Sequence, residues 1–364
     1  MATTKTAGAQ LIAEEIEHRI LIGAVKQGEY LASVRLLSRE FGCAPLTAHR
    51  ALRHLVEKGL VVAEPRHGYR VTSIRLGSRQ REVIAFLEDT TGYEPHLGDV
   101  YDVQLSVLRR GASVRGWASV VLPYEGQTSG RIAEQLREMG ATALILQDIG
   151  ERFPAELPAE LVALGLPTIS LDMATCAAGL DQVLRDEAHG AALATEHLLA
   201  RGHRRIGWYG PLTDSLNARR RFAGAAEILM REGLAEDIRD WRDLEPATDS
   251  RVAREYLSSP DRPKAVLALW QTAAMALARA ARELGLKLGK DIDLVGWSLE
   301  EHFGHSYAAD CPELREACAT ATWSMADVGR LVLNRIAERR REPDLPAARI
   351  LLPMRLRAPA APRR

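Results

Sequence analysis

Leu31–Val71, LASVRLLSREFGCAPLTAHRALRHLVEKGLVVAEPRHGYRV, decides how the chain is read. Ser33 caps a short helix that carries Leu36, Leu37 and Phe41 on one face and stops at Gly42. Pro45 suits the first turn of a second helix, where its missing N–H would have no partner anyway. There Ala48, Ala51, Leu52, Leu55 and Val56 recur at helical spacing until Gly59. That stripe faces a core, so His49, Arg50 and Arg53 point away from it. A hairpin follows: Leu60 to Ala63, a turn over Pro65-Arg66-His67-Gly68, and Tyr69 to Thr72. Two helices, a tight turn and a hairpin make a winged helix-turn-helix. An exposed basic helix of this length fits the major groove of double-stranded DNA.

The charge balance points the same way. Residues 1–75 hold eleven Lys/Arg against seven Asp/Glu, whereas residues 76–364 hold 37 against 41. The zero net charge of the whole chain therefore hides a basic head on an acidic body, as phosphate binding by one end requires. Cys43, Cys176, Cys311 and Cys318 form no CxxC pair, which suits a reduced cytoplasm. No apolar run approaches the ~18 residues of a membrane span, and no signal-peptide pattern opens the chain.

At 364 residues the chain is too long for one core. A polar linker is expected at 76–81, between a head at 1–75 and a body at 82–357, with a flexible tail at 358–364. In the body, short apolar runs alternate with amphipathic helices. The runs are Val83–Leu87, Ala118–Leu122, Ala143–Gln147, Thr168–Leu171, Arg205–Tyr209, Ala265–Leu269 and Leu294–Trp297. This is the α/β pattern of parallel strands buried on both faces, arranged as two lobes with a ligand cleft beyond the strand ends.

The head resembles the GntR family of bacterial regulators. Leu31-Ala32-Ser33-Val34-Arg35 stands where that family has L-P-S-E-R, Cys43–Leu52 where it has V-S-R-x-T-V-R-x-A-L, and Arg66-His67-Gly68 on its G-R-G wing tip. The resemblance keeps Arg35 and Thr47 as DNA contacts but puts Pro45 and His49 at two positions where the family has arginine. Arg50, Arg53 and Arg66 are expected to supply the lost charge, with a changed base preference, and His49 and His67 are further expected DNA contacts. Ala44 replaces the usual serine cap, at a cost of roughly 1 kcal/mol.

The body is similar to the LacI/GalR effector domains, which have the periplasmic-binding-protein fold of two doubly wound parallel sheets. The pattern is carried by Asp186, Gly190, Ala191, His197-Leu198, Gly202-His203-Arg204-Arg205-Ile206-Gly207 and Arg221-Phe222-Ala223-Gly224. A GntR-type head on such a body looks like the AraR-like mixed class. The resemblance then implies a homodimeric repressor that a sugar or related metabolite in the interlobe cleft releases from its operator. Arg221 takes the position that grips the effector, with Asn217 one turn earlier; an arginine on the surface beside Arg219 and Arg220 is the alternative. Trp270-Gln271 and Trp297-Ser298 stand where the sugar-binding Asn-Asp pair and aspartate usually are, and Asp172 completes the polar set. Met325 and Trp323 either line the pocket or pack the core, and Glu88 and Tyr93 either line the other lobe or sit in exposed loops. The changed positions leave room for a constitutive DNA binder with a degenerate cleft, or for a metabolite-binding protein without DNA affinity.

No catalytic centre, cofactor or metal site is expected. Glu300, Glu301, His302, His305 and Cys311 gather ligand-type side chains but lack the H-E-x-x-H helix signature, and no Walker A, G-x-S-x-G or post-strand G-x-G-x-x-G occurs.

Overall fold

A computed structural model describes residues 9–21, 25, 28–57, 60–64, 67–71, 82–89, 98–148, 152–173, 179–212, 215–234, 241, 249–303 and 311–359. Arg66, the expected linker, Tyr93, Cys176, His305 and the end of the tail lie outside these residues. The chain divides into two compact units. One is Met1–Asp89, Arg109–Leu146 and Glu160–Thr168; the other is Thr90–Leu108, Gln147–Ala159 and Ile169–Arg364.

In the first unit, α1 (Ala9–Leu21), α2 (Val34–Glu40) and α3 (Pro45–Glu57) precede the strands β1 (Val61–Glu64) and β2 (Gly68–Val71). Their shared core holds Ile12, Ile16, Ile20, Leu37, Leu52 and Leu55. Ser33 accepts the Leu36 N–H at 3.4 Å, and Gly42 ends α2 with φ 58°, which a residue without Cβ adopts cheaply. One expectation fails here. Leu36 is 55% exposed, and the inward face of α2 is Leu37, flanked by Val34 and Phe41. β1 and β2 pair antiparallel from Val61↔Val71 to Glu64↔Gly68. The first strand starts one residue late because the Leu60 N–H closes α3 on the Leu55 carbonyl at 3.0 Å.

Beyond the head, β3 (Val83–Asp89) runs parallel to β4 (Ala118–Pro123), from Val83↔Ala118 to Glu88↔Pro123, with β5 (Ala143–Asp148) on its other side. All seven residues of β3 are buried, as a central parallel strand demands. Helices α4 (Gly98–Val114), α5 (Ser129–Glu138) and α6 (Leu157–Val162) alternate with these strands along the chain.

In the second unit, β6 (Thr168–Leu171), β7 (Asp181–Asp186) and β12 (Arg349–Pro353) are parallel neighbours. A five-stranded sheet takes the order β13-β11-β10-β9-β8, built from β8 (Ile206–Tyr209), β9 (Ala265–Ala268), β10 (Asp293–Leu299), β11 (Ala319–Trp323) and β13 (Arg355–Arg357). Only β13 runs antiparallel. The helices of this unit are α7 (Glu187–Ala200), α8 (Leu216–Arg231), α9 (Ser250–Ser258), α10 (Gln271–Glu283), α11 (Glu300–His302), α12 (Pro312–Ala317) and α13 (Met325–Arg341). Asp181 ties three segments together: it accepts from Arg335 at 2.9 Å, Arg339 at 2.6 Å and the Ala348 N–H at 2.7 Å. His203, at the expected helix end, lies 2.9 Å from Asp293.

Candidate functional site

Two groups of side chains stand out, one in each unit. On α3 the residues 46, 49, 50 and 53 form a stripe at i, i+3, i+4 and i+7, and Leu46, His49, Arg50 and Arg53 are all exposed. Ala48, Ala51, Leu52 and Leu55 on the opposite face are fully buried. The core therefore fixes which way the basic stripe points. Arg35 is exposed on α2, Thr47 is half-buried at the start of α3, and His67 is exposed in the turn between β1 and β2. The turn is braced at its base, where Glu64 accepts from Arg70 at 2.6 Å and from the Tyr30 hydroxyl at 2.5 Å. These hydrogen bonds, Tyr30 first, hold the Glu64 carboxyl below its ordinary pKa.

The second group surrounds Arg221. This side chain leaves α8 and is wholly buried. Its Nε donates to Glu187 at 2.6 Å and its Nη1 to the Leu269 carbonyl. The guanidinium lies between two indoles, 4.6 Å from the ring centre of Trp270 and 4.9 Å from that of Trp297. Arg185 repeats the arrangement next to it. It pairs with Asp172 at 2.8 Å, lies 3.5 Å from Glu187 and sits 4.7 Å from the Trp323 ring. Asp172 has φ 51°, the one positive φ outside glycine among the described residues, and its carboxylate also accepts the Arg185 N–H at 3.1 Å. A strained residue held by its neighbours is typical of a ligand site or a switch.

Glu187 is the residue that organises this cluster. It opens α7, where the helix dipole favours a negative charge, and it is fully buried. Burial pushes its carboxyl up, but the Arg221 and Arg185 charges outweigh burial and hold it below the ordinary carboxylate range. Arg221 and Arg185 thus face Glu187 and Asp172 with three indoles around them, and Arg220 adds a further positive charge within reach of both carboxylates.

The structure brings together Asp172, Arg221, Trp270 and Trp297 from the expected set, with Gln271 and Ser298 next in sequence to the two indoles. Ser298 is fully buried, with Oγ 3.0 Å from Gln271 Oε1. Asn217 is half-buried in the first turn of α8, and Thr213 and Asp214 fall outside the described residues. Met325, 2% exposed, is packed as a core residue at the start of α13. Glu88 belongs to the other unit, buried at the end of β3, where desolvation lifts its carboxyl to about 7 against the pull of Arg109. Arg185 and Glu187 are the members that sequence reasoning missed. Their signal was present, since LRDE puts three charges side by side just before the Gly190-Ala191 motif. Beside Trp323 lies a cavity of about 160 Å3, edged by Glu300, Asp327, Ser324 and Arg355.

Comparison with known proteins matches two parts of the chain. Residues 9–71 match the model of bacterial regulatory proteins of the gntR family, and residues 195–358 match that of the periplasmic binding protein-like domain. The chain is 32% identical over 153 residues to the HTH-type transcriptional repressor PurR of Shigella dysenteriae, covering 39% of this chain and 44% of that protein. It thus spans less than half the length of the curated relatives that it matches. Among solved structures it resembles a regulatory protein of the LacI family from Chloroflexus aggregans, with TM-score 0.61, 23% identity and coverage of 75% of this chain and 96% of that one. A LacI family transcriptional regulator from Enterococcus faecium, with bound ribose, gives TM-score 0.60, 19% identity and coverage of 76% and 97%. At these identities the likeness is one of fold, and the fold is the expected α/β one with parallel sheets.

Proposed function

We propose, from a chain that joins a gntR-family head to a periplasmic binding protein-like body, that it is a sequence-specific DNA-binding transcriptional regulator. It acts as a repressor in the cytoplasm. A homodimer presents two winged heads to a near-palindromic operator, and a small metabolite held by the body sets the operator affinity. The observation that carries this reading is the outward stripe of α3, where His49, Arg50 and Arg53 stand exposed opposite a closed core. Arg35, Thr47, Arg66 and His67 are the further DNA contacts. Within the described residues no helix is long and apolar enough to cross a membrane.

The test is the salt dependence of binding to a duplex selected from a random pool. Each phosphate contact contributes a slope of about −0.9 in log K against log [salt]. Arg53→Ala should weaken binding and flatten that slope by about one contact. An unchanged slope removes Arg53 from the interface, and no selected duplex at all overturns the reading.

The burial of Arg221 favours a second reading. A guanidinium wholly enclosed by Glu187, a backbone carbonyl and two indoles has little left to offer an effector. The body then acts as a scaffold and the head binds DNA constitutively. On the first reading the effector is a sugar or a related compound. It would be recognised through Asp172, Asn217, Gln271 and Ser298, with the half-buried Trp270 stacking on its ring.

A further inference from the structure

The first turn of α3 carries an exposed leucine where a helix reading DNA would meet the bases. Leu46 is 61% exposed, while Ala48, Ala51, Leu52 and Leu55 on the same helix are fully buried. It leads a stripe whose later members, His49, Arg50 and Arg53, are polar or cationic, so the apolar and charged parts of the stripe are separated along the axis. Pro45 and Ala44 before it are exposed too and bring no side-chain donor or acceptor. Leu46 is not part of the core that α3 shares with the rest of the head.

In a helix-turn-helix the N-terminal residues of the second helix contact base edges, while cations further along reach bases and phosphates. Guanine, adenine and cytosine are read by donors and acceptors, which the Pro45 and Leu46 side chains lack and of which this turn offers only the half-buried Thr47 hydroxyl; the apolar feature of the major groove is the C5-methyl of thymine. We propose that Leu46 recognises thymine through that methyl group. Each half-site then carries a thymine opposite the first turn of α3. The occupant of the exposed apolar spot is duplex DNA, argued from the cationic stripe that continues from it. The proposal rests on the DNA-binding reading given above and adds its base chemistry.

Uracil differs from thymine only by the methyl group, so it tests the contact directly. The full-length protein is used to select a duplex from a random pool, and each thymine is then replaced singly by uracil. Burying one methyl corresponds to about a fourfold gain in affinity. One symmetry-related position should therefore lose about fourfold per half-site on going to uracil. Leu46→Ala should bind the thymine and uracil duplexes equally and keep the wild-type salt slope. Leu46→Gln, whose amide pairs with adenine, should select adenine at that position. A thymine-to-uracil ratio of one at every position, or the same ratio in Leu46→Ala as in wild type, overturns the proposal. A selection that yields no duplex overturns the DNA-binding reading instead, and the two failures are told apart at the first step.

Discussion

Arg221 and Glu187 are worth more to each other than to anything outside. Both are fully buried, and removing one partner strands the other's charge in a low-dielectric site. Arg221→Ala should lose about 3–5 kcal/mol of stability in urea unfolding. Exchanging both, as Arg221→Met with Glu187→Leu, should recover most of that loss. A single mutant as stable as wild type would mean that the pair is open to water. Glu88 makes a separate prediction. Its native carboxyl keeps a proton up to about pH 7, whereas the unfolded one releases it near the ordinary 4.5. The raised value makes its contribution greatest below pH 4.5, falling as pH rises to about 7 and constant above. The total is about 3 kcal/mol. Glu88→Gln should flatten this part of the profile, checked by unfolding at pH 5 and pH 8.

At the scale of elements, the crossing of α7 and α8 depends on one glycine. A Cβ on Gly224 would lie 2.0 Å from the carbonyl oxygen of Ala188, a backbone atom that yields only if the helices part. Gly224→Ala should therefore cost about 1–3 kcal/mol or more, seen as a lower urea midpoint at unchanged m. Gly130→Ala is the control. Gly130 is exposed in the first turn of α5, and a Cβ there would meet Thr128 Oγ1 at an ordinary 3.9 Å. That change should be neutral or stabilising by up to about 1 kcal/mol. Equal effects at the two sites would show that helix propensity, not the close crossing, governs Gly224.

For the whole molecule the open question is whether the body still answers to a ligand. A compound at a hundred times its dissociation constant should add about 2.7 kcal/mol to unfolding, if it binds the folded protein alone. A thermal-shift screen of sugars, sugar acids and polyols is expected to give such a hit, and the same compound should change operator affinity by the reciprocal coupling, typically about 1–3 kcal/mol. A blank screen on well-folded protein with intact DNA binding would select the constitutive reading.

Local patterns in the sequence carry most of the architecture. The seven apolar runs of the body all became strands, and Ser33, Gly42 and the inward stripe of α3 do what their spacing demands. Periodicity is a property of neighbours along the chain, so it can be read without knowing the partner. β7, β11, β12 and β13 were not legible in this way, because DQVLRD, ATATW, RILLP and RLR break the apolar run with charges, small polar residues or proline. Their ladders with distant strands, and Asp181 binding Arg335, Arg339 and Ala348, make them strands. The site divides along the same line. Sequence placed Arg221, Trp270, Trp297 and Asp172 near one another, but only the tertiary structure decided that Glu187 would take the arginine. Ion pairing depends on distance in space, and Glu187 and Arg221 are 34 residues apart in the chain. α3's outward face was fixed from the start, since a helix that buries one side has no choice about the other.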